Sequence, residues 1–208
     1  MNKVSRNTYT GITLAGGQSR RYGTPKALET LDEEPFYKRS IRSLQPIVDK
    51  QILVVHPSLQ LQMSQEYKGF MITDEPEFAG HGPLAGIFSA MNQVTTSHYI
   101  VLACDMPLMD TETLQLLKAV QPFALEESCI VPVVEGRTQP LAAIYPASAK
   151  RVIYHLLTSE KRRLTDLLNH LSCMYIRFES PRRISAFQNV NTPKDYLQIT
   201  KSQFDDLN

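Results

Sequence analysis

Short apolar runs rich in β-branched residues punctuate the chain: ITLA (12–15), ILVVH (52–56), FMIT (70–73), YIVLAC (99–104), CIVPVV (129–134), LAAIY (141–145) and CMYIRF (173–178). Between several of them lie amphipathic segments, near residues 35–45, 84–95, 111–120, 147–157 and 163–171. Strand and helix signals that alternate in this way predict an α/β fold with a mostly parallel central sheet. YIVLAC is apolar at every position, which suits a strand covered on both faces. VVEGRTQPL reads instead as a turn between adjacent antiparallel strands. SPRR (180–183) reads as a loop, and NTPKDYLQI (191–199) opens a last helix, with Thr192 as its cap and Pro193 at its first position.

At 208 residues and 42% hydrophobic content, the chain suits one well-cored domain spanning residues 1–208. A net charge of +1 gives no global attraction to nucleic acid or anionic lipid, so any basic function is local. The N-terminal MNKVSRNTYTG lacks the apolar core of a signal peptide, and no apolar run approaches the roughly 20 residues that span a bilayer. Cys104, Cys129 and Cys173 are widely separated and form no CxxC pair. They read as small buried hydrophobes in a reduced, cytoplasmic protein.

Open parallel sheets bind ligands beyond the carboxyl ends of their strands. The loops after ITLA, FMIT and YIVLAC are AGGQSRRYGTPK, DEPEFAGHGPLAG and DMPLM, which bring glycines, basic groups and two carboxylates toward one edge. The first loop is neither GxGxxG nor GxxxxGK[ST], since five residues separate Gly17 from Gly23 and Thr24 follows. Its backbone amides and Ser19 can still hold phosphates while Arg20, Arg21 and Lys26 neutralise charge; the other reading is a solvated basic turn.

Asp105, directly after the apolar run, suits a hard divalent cation shared with substrate phosphates, or a capping role in the turn. Asp74, Gly80, Gly82 and Gly86 fit either a loop closing over a base or sugar or a plain surface loop, in which His81 is a bystander. Asn189 and Asn191 fit substrate or metal contact and helix capping equally. EKRR (160–163) reads from composition as a solvated helix face. There is no GxSxG elbow and no convincing Cys and His pairing, which disfavours a covalent mechanism.

LAGGQSRRYGTPK (14–26), GPLAG (82–86), CDMP (104–107) and NVNTP (189–193) together resemble the molybdenum cofactor guanylyltransferases, with EKRRL and GRTQPLAAIY in matching places. The resemblance covers nearly the entire chain. It implies a three-layer αβα nucleotidyltransferase fold of Rossmann-like type, and transfer of GMP from GTP to molybdopterin with release of pyrophosphate. Leu14, Ala15 and Gly16, with Gly17 beside them, match the nucleotide-contacting backbone. Lys26 matches the phosphate-binding lysine, Asp74 a guanosine contact and Asp105 the Mg²⁺ ligand, and Lys26 and Arg20 would offset developing negative charge. The implied partners are GTP and molybdopterin as substrates, with cofactor-insertion or molybdenum-loading proteins as candidates beyond them.

Three positions depart from the pattern: Tyr22 where methionine is common, Pro25 where aspartate often precedes the lysine, and His56 where asparagine often stands near the nucleotide. Related cytidylyltransferases typically read LAAG where this chain has LAGG, so Gly16 favours guanine by resemblance. A cytidylyltransferase of molybdopterin or of a sugar or alcohol phosphate is the alternative within the class. A nucleotide-binding module without turnover is the alternative outside it, and intact Lys26 and Asp105 argue against it. Arg137, Gln139, Arg162, Arg163, Asn189 and Asn191 are candidates for the acceptor pocket.

Overall fold

The computed structural model describes residues 7–16, 25–125, 127–192, 194–197 and 199. The chain runs β1 (Tyr9–Ala15), β2 (Thr30–Leu31), β3 (Glu34–Pro35), α1 (Phe36–Leu44), β4 (Lys50–Val55), α2 (Pro57–Glu66), β5 (Met71–Ile72), α3 (Pro83–Gln93), β6 (His98–Ala103) and α4 (Thr111–Val120). It continues through β7 (Cys129–Val134), β8 (Arg137–Thr138), β9 (Ala142–Pro146), α5 (Ala149–Thr158), α6 (Leu164–Asn169), β10 (Cys173–Phe178) and α7 (Pro181–Ala186). Residues 194–197 and 199 are helical.

The main sheet has the order β10-β7-β9-β6-β1-β4-β5, with β8 paired to β7. β1 pairs parallel with both β4 and β6, β4 with β5, and β7 with β10. β9 lies antiparallel between β6 and β7. The expected turn in VVEGRTQPL is a two-residue hairpin: Val134 pairs with Arg137, and Glu135 and Gly136 both take left-handed backbone (φ 50° and 75°), the type I′ geometry.

Period-two alternation sorts the side chains onto two covered faces. Ile12, Ile52, Val54, Tyr99, Val101, Ala143 and Tyr145 pack against α3, α5 and α6. Ile100, Leu102, Ile130 and Ile144 face α1, α4 and α7, and Leu53 and Val55 point to the same side, toward α1 and α2. Every residue of β6 is buried. The result is the three-layer αβα arrangement expected from the sequence. No helix among the described residues is long and apolar enough to cross a membrane.

Three readings need correction. EKRR is exposed but is not a helix face: residues 160–163 connect α5 to α6, with Glu160 in left-handed backbone (φ 56°) and Arg163 at the N-cap position of α6. SPRR is not a loop: Pro181 takes the first position of α7, where a missing N–H costs nothing and φ is already helical. His56 does not extend β4; it is the N-cap of α2, its Nδ1 accepting from Ser58 N–H at 3.2 Å. At the last helix, Thr192 does cap, its Oγ1 accepting from Asp195 N–H at 3.2 Å, while the Asp195 carboxylate accepts from Asn191 and Thr192 N–H at 2.8 Å each. Pro193 lies outside the described residues.

Candidate active site

The carboxyl ends of β5, β4, β1 and β6 stand in register, with Val54 beside Ile72, Ala15 beside Val55, and Leu14 beside Ala103. Asp74, His56, Gly16 and Asp105 therefore leave the sheet along one edge. The end of β6 is held from three sides. Ala103 N–H donates to the Leu141 carbonyl (2.9 Å), Cys104 N–H to the Leu14 carbonyl (3.0 Å), and Val190 N–H to the Asp105 carbonyl (2.8 Å). Val190 is fully buried, so its insertion into the core anchors the exposed Asn189 and Asn191 that flank it in the chain.

Lys26 opens a short 3₁₀ turn (Lys26–Leu28) anchored by buried Ala27. Its Nζ donates to Asn191 Oδ1 at 2.5 Å and stands 3.7 Å from Asp105 Oδ2. The other carboxylate oxygen, Asp105 Oδ1, is buried without a hydrogen-bond partner among the described residues. Burial pushes the Asp105 carboxyl above its ordinary range, against the opposing pull of the Lys26 ammonium. A buried oxygen with unused lone pairs next to an ammonium group is the environment that a cation or a ligand proton donor completes.

Asp74 lies across the edge on the far side of Gly16. Burial raises its carboxyl too, partly offset by the Gly80 N–H that donates to it and by the nearby His56 and His81 rings. Packing beneath it is tight at Gly86: a Cβ there would stand 3.0 Å from Leu14 Cδ2 and 3.5 Å from Asp74 Oδ1, so the Leu14 side chain would have to give way. Gly16 is different. Among the described residues a Cβ at that position would meet only His56 N, at an ordinary 3.9 Å, so their packing does not demand glycine there.

Sequence reasoning passed over several supporting residues. Arg39 donates to the Leu31 carbonyl (2.8 Å) and the Pro107 carbonyl (3.0 Å), bracing the loop behind Asp105. Buried Ser89 accepts from Glu75 N–H and donates to the Ala85 carbonyl, both at 2.7 Å, which ties the segment after Asp74 to α3. Neither residue belongs to a motif, and each acts through a backbone group that only the fold brings near. Of the remaining expected residues, Gln139 sits just before β9, where Ala142 N–H donates to its carbonyl, while Arg137, Arg162 and Arg163 are exposed. Gly17, Ser19, Arg20, Arg21, Tyr22 and Gly23 lie outside the described residues.

No group of three or more His, Cys, Asp or Glu side chains among the described residues is arranged to hold a metal. The edge thus offers Asp105 as a single hard oxygen ligand rather than a protein cage. A separate cavity of about 400 Å³, lined by Phe88, Ala147, Ser148, Lys150, Arg151 and Tyr154, shares no residue with this edge and none of its chemistry.

The pattern of the MobA-like NTP transferase domain family matches residues 11–174. A Bacillus mycoides protein named probable molybdenum cofactor guanylyltransferase is 35% identical over 192 residues, covering 92% of this chain and 95% of that one. A protein of the same name from Halalkalibacterium halodurans is 32% identical over 201 residues, 96% and 100% of the two chains. The crystal structure of molybdopterin-guanine dinucleotide biosynthesis protein A from Archaeoglobus fulgidus superposes with a TM-score of 0.75 at 24% identity, covering 91% of this chain and 95% of the other. A nucleotidyl transferase from Methanothermobacter gives 0.73 at 15% identity, covering 97% and 100%. The structural likenesses establish the fold; the sequence matches, together with the strand-edge arrangement of Gly16, Lys26, Asp74 and Asp105, establish that the chain belongs to the MobA-like NTP transferase family and is a nucleotidyltransferase.

Proposed function

We propose that this protein transfers GMP from GTP to the phosphate of molybdopterin, forming the guanine dinucleotide and releasing pyrophosphate. The observation that carries the reading is the convergence of Lys26, Asp105 and Asn191 at the carboxyl edge of β1 and β6, with Asp105 Oδ1 buried and unpaired among the described residues. The relatives named for this activity, matched over more than nine-tenths of their length, support it.

In this reading an oxygen of the molybdopterin phosphate attacks the α-phosphorus of GTP. The new P–O bond forms as the bond to the β-phosphate bridge breaks, and pyrophosphate departs with the electron pair. Such transfers need positioning and charge stabilisation more than covalent participation by the protein. Lys26 supplies a fixed ammonium to the triphosphate, and Asn191 holds that ammonium in place. Arg20 is a second candidate for the developing charge. Asp105 suits Mg²⁺, which characteristically takes one or two carboxylates and completes its shell with phosphate oxygens and water. Bound there, the cation would supply charge neutralisation along the triphosphate.

Asp74 is the candidate for reading the base. Guanine offers two adjacent donors, N1–H and the exocyclic amine, that one carboxylate accepts together, and a carboxylate raised by burial gains from both. Gly16, on the β1 side of the edge, leaves room for the larger purine. The acceptor pocket is assigned to Asn189 and Asn191 with Gln139, and to the exposed Arg137, Arg162 and Arg163. The test is incubation of the purified protein with Mg²⁺, molybdopterin and each nucleoside triphosphate in turn, with mass analysis of the product. A guanine dinucleotide formed only with GTP supports the reading. A cytosine dinucleotide formed in preference, or binding of both substrates without pyrophosphate release, overturns it.

A further inference from the structure

Cys129 and Cys173, far apart in the chain, are direct partners in the parallel pair of β7 and β10, each the first residue of its strand. Adjacent strands lie about 4.8 Å apart, inside the roughly 4.4–6.8 Å Cα separation that disulfides span. The register at this point is pinned by Cys129 N–H donating to the Ser172 carbonyl (2.8 Å) and by the Ser128 and Ser172 hydroxyls in contact at 2.9 Å. Both side chains point to the face covered by α5 and α6. The Cys129 S–H donates to the Cys173 sulfur. The Cys173 sulfur also stands 3.7 Å and 3.6 Å from the Leu168 and Leu171 carbonyls.

The two thiols differ in ways that suit different tasks. Cys129 is fully buried, whereas Cys173 is partly exposed on an edge strand. Tyr175, half-exposed on the same face of β10, donates its hydroxyl to the Cys173 sulfur. The hydrogen bond from Cys129, seconded by that of Tyr175, lowers the Cys173 thiol to about 7, and the same donation together with burial raises Cys129. One sulfur is thus partly exposed, with its thiol shifted downward; the other lies buried beside it as a thiol.

We infer that Cys173 and Cys129 form a peroxide-reactive dithiol that closes into an intramolecular disulfide between β10 and β7. The Cys173 thiolate attacks a hydroperoxide oxygen, so that the S–O bond forms, the O–O bond breaks and the departing hydroxide leaves as water. Cys129 then gives up its proton and attacks the Cys173 sulfur; the S–S bond forms and the S–O bond breaks, releasing the second water. Two thiols and one hydrogen peroxide become one disulfide and two waters. The bridge staples β10 to β7, its neighbour in the sheet, at the end of the sheet opposite Lys26 and Asp105.

The experiment exposes the reduced protein to hydrogen peroxide at neutral pH and follows intact mass and peptide map. The expected product has lost two hydrogens per chain, carries a single link joining the Cys129 and Cys173 peptides, keeps Cys104 free, and returns to the starting mass with a dithiol reductant. Cys129→Ser should stop at a sulfenic acid on Cys173 that dimedone traps, Cys173→Ser should abolish the two-hydrogen loss, and Cys104→Ser should leave the link unchanged. A disulfide involving Cys104, a covalent dimer, direct conversion of Cys173 to sulfinic acid with Cys129 unlinked, or an unreactive wild type would each overturn the inference.

Discussion

Asp105→Asn separates what the site needs for chemistry from what the fold needs for stability. Asp105 Oδ2 stands 3.7 Å from Lys26 Nζ, a gross attraction of about 4 kcal/mol at the effective dielectric of a partly shielded pair. Its carboxyl is nevertheless raised rather than lowered, so desolvation outweighs that attraction in the free protein. Asparagine keeps the shape and removes the charge, and Lys26 is not stranded because Asn191 Oδ1 still accepts from it at 2.5 Å. The variant should therefore be more stable than wild type at neutral pH, with a higher unfolding midpoint. The sign of the pH dependence follows. Above its folded pKa the wild-type carboxylate carries the whole burial penalty; as pH falls through that value a proton binds and relieves it. The two proteins should converge toward about pH 4, the ordinary aspartate value. Pyrophosphate release should meanwhile fall about 100- to 1,000-fold or more, the scale on which one electrostatic group acts in a transition state. Thermal unfolding from pH 4 to 8 and a coupled pyrophosphate assay read both effects. A variant that is less stable at neutral pH by a gap that pH does not alter, or one that turns over normally, would refute the reasoning.

Lys26→Ala should weaken GTP binding or slow turnover about 10- to 100-fold, the scale of one charge-assisted contact to phosphate, measured as kcat/KM for GTP. Gly16→Ala should leave the unfolding midpoint unchanged, since among the described residues its methyl meets only His56 N at 3.9 Å, yet lower kcat/KM for GTP by roughly 5- to 150-fold through overpacking against the base. A lower midpoint with unaltered kinetics would show that glycine serves the fold instead. Ser89→Ala leaves the Glu75 N–H without its acceptor and should cost about 1–3 kcal/mol while raising the KM for GTP more than it changes kcat. Urea unfolding and steady-state kinetics check the two parts separately.

What could be seen in advance followed from local rules. YIVLAC announced a strand buried on both faces because no polar position interrupts it, and Thr192 announced a cap because a hydroxyl sits three residues before Asp195 N–H. α2 escaped notice because PSLQLQMSQE buries only Leu59 and Met63, too thin a stripe to stand out among glutamines and serines. SPRR was misread because proline ends helices as readily as it begins them, and the helix it begins is only six residues long. The edge carrying Gly16, Asp74 and Asp105 was legible because each residue follows an apolar run, and strand direction then places all three together. The grip of Asn191 on Lys26, the brace of Arg39 and the meeting of Cys129 with Cys173 were not, since each joins segments whose proximity is set by strand order.

The hydrogen bond from Lys26 to Asn191 joins positions 165 residues apart. Few contacts in a protein of this size close so long a loop, and the entropy of closing it rises only slowly with length, so the chain holds it at modest cost. Lys26 comes from the first loop of the sheet and Asn191 from the segment before the last helix, so the site is complete only where these two distant parts of the sequence meet, with Val190 N–H holding the Asp105 carbonyl. A ligand that spans both sides of this closure fastens the early half of the chain to the late half, so its binding should protect amides throughout the domain from hydrogen exchange rather than those of one loop.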